Sequence, residues 1–474
     1  MKKNILALSL LAAVAAGFTA CSDDNLSSES VIKPSKAADT VFDKWLYKNF
    51  VVPYNIQIQW RYEDNESDMS YYDVPADSAQ SVELAHIVKY TCVEAYTEAA
   101  GIDFTRRFFP KLFSFLGEFE YGNNGSIKLG TAEGGKKIRL LGVNHLDKVK
   151  NNRTALDEYY LKTIHHEFVH IVNQTKDYPR EFGKITPTGY VNDSWSAGEY
   201  VKGYEKRGFV TAYSQKEERE DFAEVVSTYI ISTPAQWDAI IKRATLVDKN
   251  GEPIKDEKTG KPAPQPGVEA LEKKLEIAKR YYKETFNVDL DKVRDTVIER
   301  ENNVVNGRKD HYMKANKLLI YLLLALPALF LQSCQTEEEN VFGKPYSERM
   351  DEFLKKAQET LVASQYGWAL DYYPQRYQAY GGVAYTIKFT RDNAIVRYEN
   401  NPDDGEVKSL YKMKEDDGPV LSFDTHNTFL HIYATPKNGE YLGKEGDFEF
   451  VIDSIGADRI KIHGKRSLNT MYLN

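Results

Sequence analysis

The spacing of apolar residues divides the chain into an early part that mixes helices with strands and a later part that consists mostly of strands. In the early part, apolar residues recur every three to four positions, which predicts helices that pack on a core, at 81–99, 154–174 and 268–286. Alternating or turn-flanked apolar residues predict short strands between them, at 55–60, 126–129 and 137–143. The early part therefore has the pattern of an α+β fold.

The later part begins with an amphipathic helix over residues 347–363 and continues in short runs of strand character. The runs predict strands at 367–370, 383–389, 394–398, 407–411, 428–433, 447–452 and 459–463. We therefore expect a separate, mostly antiparallel β domain preceded by one helix. Residues 470–474 have strand character up to the last residue, so we predict that this domain is truncated.

Composition narrows the class of protein without defining its chemistry. The length of 474 residues suggests two to four domains. A hydrophobic content of 42% and a charged content of 28% are those of a globular protein rather than a disordered one. The net charge of −8 argues against a nucleic acid as the partner.

Two short apolar segments have the pattern of lipoprotein signal peptides. Residues 1–20 contain a basic start, an apolar run and small residues before Cys21, and residues 313–333 repeat this pattern before Cys334. Acidic residues follow each cysteine, which resembles the export tag of lipoproteins that reach the outer face of the outer membrane. The second apolar run is short for a membrane span, which needs about 20 residues. An internal membrane-spanning or buried helix is the alternative.

Two lipoprotein precursors joined end to end explain this repeat. The predicted segments are a signal peptide (1–20), a tether (21–36), a first domain (37–306), a second signal-like segment (313–333), a second tether (334–346) and a final domain (347–474). The sequence does not distinguish a genuine fusion from two joined reading frames. With Cys21 and Cys334 lipidated, only Cys92 remains, and we expect it to be a core thiol without a disulfide.

Residues 163–172 contain the motif H-E-x-x-H, formed by His166, Glu167 and His170. Residues four apart on a helix lie on the same face, so the two imidazoles would point to one place. Neutral imidazole is a good ligand for zinc. Glu167 lies one residue round the helix and could reach a water held on the metal. The motif predicts a catalytic zinc site, and a chance match is the alternative.

A catalytic zinc site needs a third protein ligand, and acidic residues downstream of Ser214 are the candidates. Ser214 and Glu217 have the spacing of a capping box, which predicts that a helix begins there. Glu217 and Glu218 suit a solvated helix start. Glu220 and Glu224 lie on the face that leans inward, so one could bind metal and the other could support a ligand histidine.

The motif H-E-F-V-H, together with a tyrosine seven residues before the first glutamate of E-D-F-A-E, resembles the gluzincin metallopeptidases of the anthrax-lethal-factor type. The resemblance implies a zincin-like lobe with a helical second lobe and one zinc ion. It implies that Glu220 is the third ligand and that the hydroxyl of Tyr213 assists the transition state. Asp221 stands where the family pattern is aromatic, so it remains a rival ligand.

The lipoprotein signal, H-E-x-x-H and E-D-F-A-E together resemble zinc-binding lipoproteins encoded beside starch-utilisation-type outer-membrane importers, over residues 21–305. The resemblance implies a lipid-anchored peptidase at the cell surface, with a peptide or protein substrate and importer components as partners. A non-catalytic lipoprotein that binds glycan or peptide and keeps a vestigial metal site is the alternative.

The final domain shows no catalytic constellation in its sequence. Its first helix and the pattern G-G-x-A-Y-T-x-x-F resemble the N-terminal part of an uncharacterised lipoprotein family (DUF4302-like). We expect His426, His431 and His463 to lie on strands without the spacing of ligands. His86, His145 and His165 also lack partners at ligand spacing.

Overall fold

The computed structural model describes residues 40–313 and 345–474, apart from residues 69, 123–126, 129, 134–136, 256–262 and 417. Both predicted signal peptides, with Cys21 and Cys334, lie outside the described residues. Within the described ranges, no helix combines the length and the apolar character that a membrane crossing requires. We call residues 40–313 the first lobe and residues 345–474 the β domain.

The first lobe is mainly helical. Its helices are α1 (Val41–Leu46), α2 (Val52–Tyr54), α3 (Ser78–Val88), α4 (Glu94–Ala100), α5 (Ile102–Phe108), α6 (Leu146–Val149), α7 (Arg153–Leu156), α8 (Lys162–Thr175), α9 (Glu218–Ile231), α10 (Pro234–Ala244), α11 (Pro266–Phe286), α12 (Leu290–Val305) and α13 (Lys309–Tyr312). One turn of π-helix, Lys89–Val93, joins α3 to α4, so the predicted helix at 81–99 is continuous. Cys92 is buried on it as a free thiol, as predicted.

A small mixed sheet lies among these helices. Its order is β1 (Gln57–Gln59), β2 (Leu112–Phe115), β6 (Lys137–Leu140) and β5 (Gly130–Glu133), while β3 (Glu120–Tyr121) pairs with β4 (Ile127–Lys128). The first three strands are parallel, and β5 runs antiparallel to β6. The sequence analysis missed β2. Phe113, Ser114 and Phe115 of this strand are all buried, so its residues do not alternate between buried and exposed.

Helix α8 carries the H-E-x-x-H motif and continues from α7 through the π-helical turn Asp157–Leu161, which confirms the helix predicted at 154–174. Phe168 anchors its apolar face, with its ring centroid 4.8 Å from that of Tyr96 and 4.9 Å from that of Phe109. Its other face packs on α9. This packing brings the motif against the acidic residues of α9.

The predicted capping box at Ser214 is wrong. Helix α9 begins at Glu218, and Ser214 lies in the preceding 3₁₀ turn, where its hydroxyl contacts Thr211 Oγ1 at 3.1 Å. The backbone of this turn is engaged elsewhere, because the carbonyl of Gln215 accepts a hydrogen bond from the N–H of Val191 at 2.7 Å. The contact with the neighbouring loop delays the start of the helix.

The β domain contains one antiparallel sheet of nine strands, with α14 (Tyr346–Ala363) packed against it. The strands are β7 (Trp368–Tyr372), β8 (Val383–Phe389), β9 (Asn393–Tyr398), β10 (Glu406–Leu410), β11 (Lys412–Glu415), β12 (Pro419–Ser422), β13 (Glu449–Ile455), β14 (Ile460–Gly464) and β15 (Thr470–Leu473). Their order is β10-β9-β8-β7-β15-β14-β13-β12-β11. The predicted α+β fold followed by a mostly antiparallel β domain is thereby confirmed.

One predicted strand of this domain is wrong. Residues 428–433 contain the short helix α15 (Thr428–His431) instead of a strand. The side chain of Asn427 accepts hydrogen bonds from the N–H groups of Phe429 and Leu430, at 3.1 and 3.3 Å, and so caps the helix. His431 is consequently a buried helical residue, while His463 lies on β14 as predicted.

Candidate metal centre

The packing of α8 on α9 brings together three side chains that the motif analysis named as ligands. The Nε2 atoms of His166 and His170 lie 3.0 Å apart. Glu220 Oε2 lies 3.0 Å from the first of these atoms and 3.2 Å from the second. All three side chains are largely buried. They form a compact group that could hold one metal ion.

The chemistry of this donor set fits zinc. Two imidazole nitrogens and one carboxylate oxygen form a ligand set of catalytic zinc sites. Bonds of about 2.0–2.2 Å in a tetrahedral arrangement place neighbouring donor atoms about 3.4 Å apart. The separations of 3.0 to 3.2 Å among the three atoms are close to that value. The residues present therefore fit the ion that the motif implies.

Glu224 holds His166 from the side opposite to this group. His166 Nδ1 lies 2.8 Å from Glu224 Oε1, so the ring can donate its Nδ1–H to the carboxylate and keep the Nε2 lone pair for a metal. Lys162 Nζ and Thr211 Oγ1 both donate to the other oxygen of Glu224, at 2.8 and 2.6 Å. The position of Glu224 is therefore set by two residues of α8 and by one residue of the loop that precedes α9.

These contacts perturb the protonation of the group. Burial alone would lower the pKa of His166, but hydrogen bonds with Glu220 and Glu224 raise it to about 9. Burial alone would raise the pKa of Glu220 and of Glu224. His166 and His170 nevertheless hold the pKa of Glu220 well below its usual range, and Lys162 and His166 do the same for Glu224. Burial raises the pKa of Glu167.

Tyr213 lies beside the group on the turn before α9. Its ring centroid is 6.0 Å from that of His166 and 5.0 Å from that of Trp195, which meets it edge-on. Lys216 Nζ donates to the hydroxyl at 3.4 Å. Burial, reinforced by the negative charge of Glu220, raises the pKa of Tyr213 far above its ordinary value. Its hydroxyl therefore stays protonated at neutral pH.

Asp221 faces away from the histidines. Its carboxylate contacts Lys274 Nζ at 2.6 Å, with both side chains 0% exposed, and accepts a hydrogen bond from the hydroxyl of Tyr190 at 3.0 Å. Burial raises the pKa of Asp221 to about 6 despite this ammonium group. The structure thus places Asp221 in a buried ion pair between α9 and α11, and Glu220 beside the histidines.

Three residues near the group were missed in the sequence analysis. Lys162 stands four residues before His166, so helical spacing could have indicated it. Thr211 lies in a bend and Trp195 in the short 3₁₀ helix Asn192–Ser196, and neither is long enough to show a periodic pattern. Tertiary packing alone brings them to Glu224 and Tyr213.

Three other histidines of the first lobe, His86, His145 and His165, have other partners. His165 Nδ1 lies 3.1 Å from the hydroxyl of Tyr96, and burial lowers the pKa of His165 to about 3. His86 Nδ1 lies 3.1 Å from the carbonyl of Tyr312. The contact of His145 is with Glu118, at 2.7 Å. Among the described residues, none of these histidines belongs to a group of potential metal ligands.

A second group of potential ligands, Asp64, Asp416 and Glu449, lies where the first lobe meets the β domain. Lys465 Nζ contacts these three residues at 2.8, 2.7 and 3.5 Å. One ammonium group therefore contacts all three carboxylates and offsets part of their charge.

Comparison with known proteins now identifies the class. Residues 35–291 match the family model described as "Putative zinc-binding metallo-peptidase", and the chain belongs to this family. Residues 338–474 match a domain of unknown function, DUF4302. These matches confirm the predicted resemblance of the first lobe to zinc-binding metallopeptidases and that of the β domain to the DUF4302 family.

One solved structure is also similar to this chain. It is the crystal structure of a putative zinc-binding metallo-peptidase from Bacteroides caccae ATCC 43185, with 33% sequence identity and a TM-score of 0.46. The match covers 60% of this chain and 99% of that chain. No curated protein matches the chain.

Proposed function

We propose that this protein is a peptidase that holds one zinc ion through His166, His170 and Glu220. The observation that supports this proposal best is the separation of 3.0 to 3.2 Å among the three donor atoms. Zinc bound there would polarise the scissile carbonyl and activate the attacking water. Membership of a zinc-binding metallo-peptidase family supports the choice of metal and of substrate class.

Glu167 acts as the general base in this proposal. It would take the proton of the attacking water and later give it to the leaving amine. Burial raises the pKa of Glu167, which brings this carboxyl group nearer to the pH at which it must both accept and donate a proton. Glu167 lies on α8 between the two histidine ligands in the sequence.

Tyr213 and Glu224 assist without exchanging protons. Because the raised pKa of Tyr213 keeps its hydroxyl protonated, this group can donate a hydrogen bond to the oxygen that becomes negative in the transition state. Glu224 can accept the Nδ1–H of His166, which would leave Nε2 free to bind the ion.

Substitution of the general base tests the catalytic assignment. We expect Glu167→Gln to retain zinc, measured by elemental analysis, and to lose peptide cleavage by about 100- to 10,000-fold. Glu158→Gln is the matched control, because Glu158 is an exposed glutamate on the same continuous helix. Unchanged cleavage by Glu167→Gln would remove this residue from the mechanism. Stoichiometric zinc without cleavage of any member of a peptide library would favour the non-catalytic binding protein.

We also propose that the protein is anchored by lipid at the outer face of the outer membrane and works beside a nutrient importer. The cysteines Cys21 and Cys334, each after an apolar run and before acidic residues, support this location. In the producing cell, Cys21→Ser together with Cys334→Ser should move the protein from the membrane fraction to the soluble fraction. Digestion of the unsubstituted protein by protease added to intact cells would test its surface exposure.

A further inference from the structure

We propose that the β domain is a tightly bound partner of the first lobe and that the two remain together when the chain between them is cut. Residues 314–344 connect the two parts and lie outside the described residues. The association is carried by direct contacts between residues 61–76, 116–119 and 141 of the first lobe and the sheet of the β domain.

Apolar side chains form the centre of this contact. Tyr62, Val74, Leu116, Phe119 and Leu141 belong to the first lobe, yet they are packed in the apolar cluster of the β domain rather than in that of their own lobe. All five are buried. The ring of Tyr62 meets that of a β-domain phenylalanine edge-on, with 5.0 Å between the centroids. Separation of the two parts would expose these side chains to water.

Backbone groups are paired across the same contact. The N–H of Tyr62 donates to the carbonyl of Asp424 at 2.9 Å, and the N–H of His426 donates to the carbonyl of Ala76 at 3.0 Å. These bonds hold one backbone in register with the other. Such pairing is typical of the interior of a domain and of permanent interfaces.

A buried ion pair lies beside this backbone pairing. Arg61 donates to Asp424 through Nε at 2.6 Å and through Nη2 at 3.0 Å, in the bidentate geometry that gives the strongest and most specific charge pairs. Arg61 is 9% exposed and Asp424 is 0% exposed. Nη2 of the same arginine also donates to the carbonyl of Tyr411 at 3.2 Å.

The charges around this pair are also complementary, but the two surfaces carry the signs the other way round. Here the first lobe supplies the anions, Glu63 and Asp64, and the β domain supplies the cations, Lys412 and Lys465. The guanidinium of Arg466 lies 4.1 Å from the ring centroid of a first-lobe tyrosine. Because cations and anions alternate between the two surfaces, any shift in register would place like charges opposite each other.

An apolar centre, paired backbones and alternating charges together describe a specific and lasting association. Processing of the chain at Cys334 would therefore release no free β domain. The first lobe and the β domain would remain one complex with two lipid-bearing N-termini.

Cleavage of the full chain tests this proposal directly. Residues 335–340 are replaced by the recognition sequence of a site-specific protease, and complete cleavage is verified on a denaturing gel. In native size-exclusion chromatography at micromolar concentration, we expect one peak with the mass of the uncut chain. Two peaks, one for each piece, would overturn the proposal.

Two substitutions test whether the ion pair contributes. Arg61→Glu places two carboxylates in one buried site and should raise the dissociation constant of the cut pieces by about 100-fold or more. Asp424→Asn keeps the shape of the side chain without its charge and should raise the dissociation constant by about 10-fold. This milder variant is included because the charge reversal in Arg61→Glu could prevent folding. Lys355→Glu, at an exposed position of α14, is the control and should leave it unchanged.

Circular dichroism of the uncut variants separates loss of affinity from loss of fold. Folded Arg61→Glu and Asp424→Asn chains whose pieces bind as tightly as the unsubstituted ones would show that the pair does not hold the interface. That result would overturn the role assigned to these charges.

Discussion

The metal centre and the border between the first lobe and the β domain each bring three potential ligand atoms close together. The two groups differ in the bases beside their carboxylates, which are imidazoles at the metal centre and lysine side chains at the border. At the metal centre, Glu220 meets two imidazoles, those of His166 and His170. A neutral imidazole offers the lone pair of a ring nitrogen to a metal ion, which an ammonium group cannot do. The group can therefore exchange a proton for a metal ion.

At the border, ammonium groups already occupy the position between the carboxylates. Lys465 contacts Asp64, Asp416 and Glu449, and Lys414 contacts the last two at 3.0 and 2.8 Å. Burial alone would lower the pKa of Lys465, but hydrogen bonds with Asp416 and Asp64 raise it well above its usual value. Carboxylates that lie close together therefore do not by themselves define a metal site. The base that faces them must be able to lose its proton.

Removal of one carboxylate from each group is the strongest test of this comparison. Glu220→Gln should weaken zinc binding by more than about 100-fold, since a first ligand contributes more than its supporting residues. Asp416→Asn should leave zinc binding unchanged. Titration with a competing chelator measures both affinities. Equal losses in the two variants would contradict the difference between the groups.

Substitution of the residue that supports His166 should have a smaller effect. Glu224→Gln can still accept the Nδ1–H of His166 but removes the negative charge, so zinc affinity should fall by about 10- to 100-fold. Asp221→Asn, one helical position beyond Glu220 but facing Lys274, should alter stability rather than affinity. An affinity loss confined to Asp221→Asn would reverse the assignment of the rival ligand.

Substitution of Lys465 tests whether its ammonium group stabilises the border between the first lobe and the β domain. Lys465→Met leaves three carboxylates near each other with one lysine fewer, so the free energy of unfolding should fall by about 1–2 kcal/mol. Millimolar Ca²⁺, which oxygen ligands favour, should restore part of that loss in the variant but not in the unsubstituted chain. Denaturant unfolding with and without Ca²⁺ measures both effects. Equal stability of both chains without Ca²⁺ would contradict the role of Lys465.

A third buried group contains two carboxyl groups and one arginine, and it extends the comparison to carboxylates that share a single cation. Asp157 and Glu301 share Arg153, whose Nε contacts Glu301 at 2.8 Å and whose Nη2 lies 3.8 Å from Asp157. Burial raises the pKa of both carboxyl groups, and the negative charge of Asp157 raises the pKa of Glu301 further. The folded state therefore binds protons that the unfolded chain has already released.

The sign of the resulting pH effect follows from these raised pKa values. This pair contributes fully to the free energy of unfolding at pH values below the pKa of a carboxyl group in the unfolded chain. The contribution is lost as the pH rises through the higher pKa of the folded state. Glu301→Gln removes one of the two acids, so it should raise stability at pH 8 by about 1 kcal/mol and change it little at pH 5. Melting temperatures at the two pH values test this. A variant that is less stable at pH 8 would contradict it.

Local patterns predicted the elements that carry the chemistry. The helix with His166 and His170 and the helix at the start of the β domain lie where apolar spacing placed them. Periodicity did not indicate β2 and predicted a strand where α15 forms, because burial on both faces and the cap by Asn427 leave no periodic pattern. The predicted start of α9 was wrong because the preceding turn is hydrogen-bonded to Val191 of the neighbouring loop.

The amino-acid sequence by itself determined that two imidazoles four residues apart would face one point, because helical geometry is local. It also indicated an acidic helix downstream. Only the tertiary structure decided which acid reaches the histidines. The packing of α8 on α9 turns Glu220 toward them and pairs Asp221 with Lys274 on α11. Only the tertiary structure joined Arg61 to Asp424, because partners so far apart in the chain meet through the packing of two surfaces.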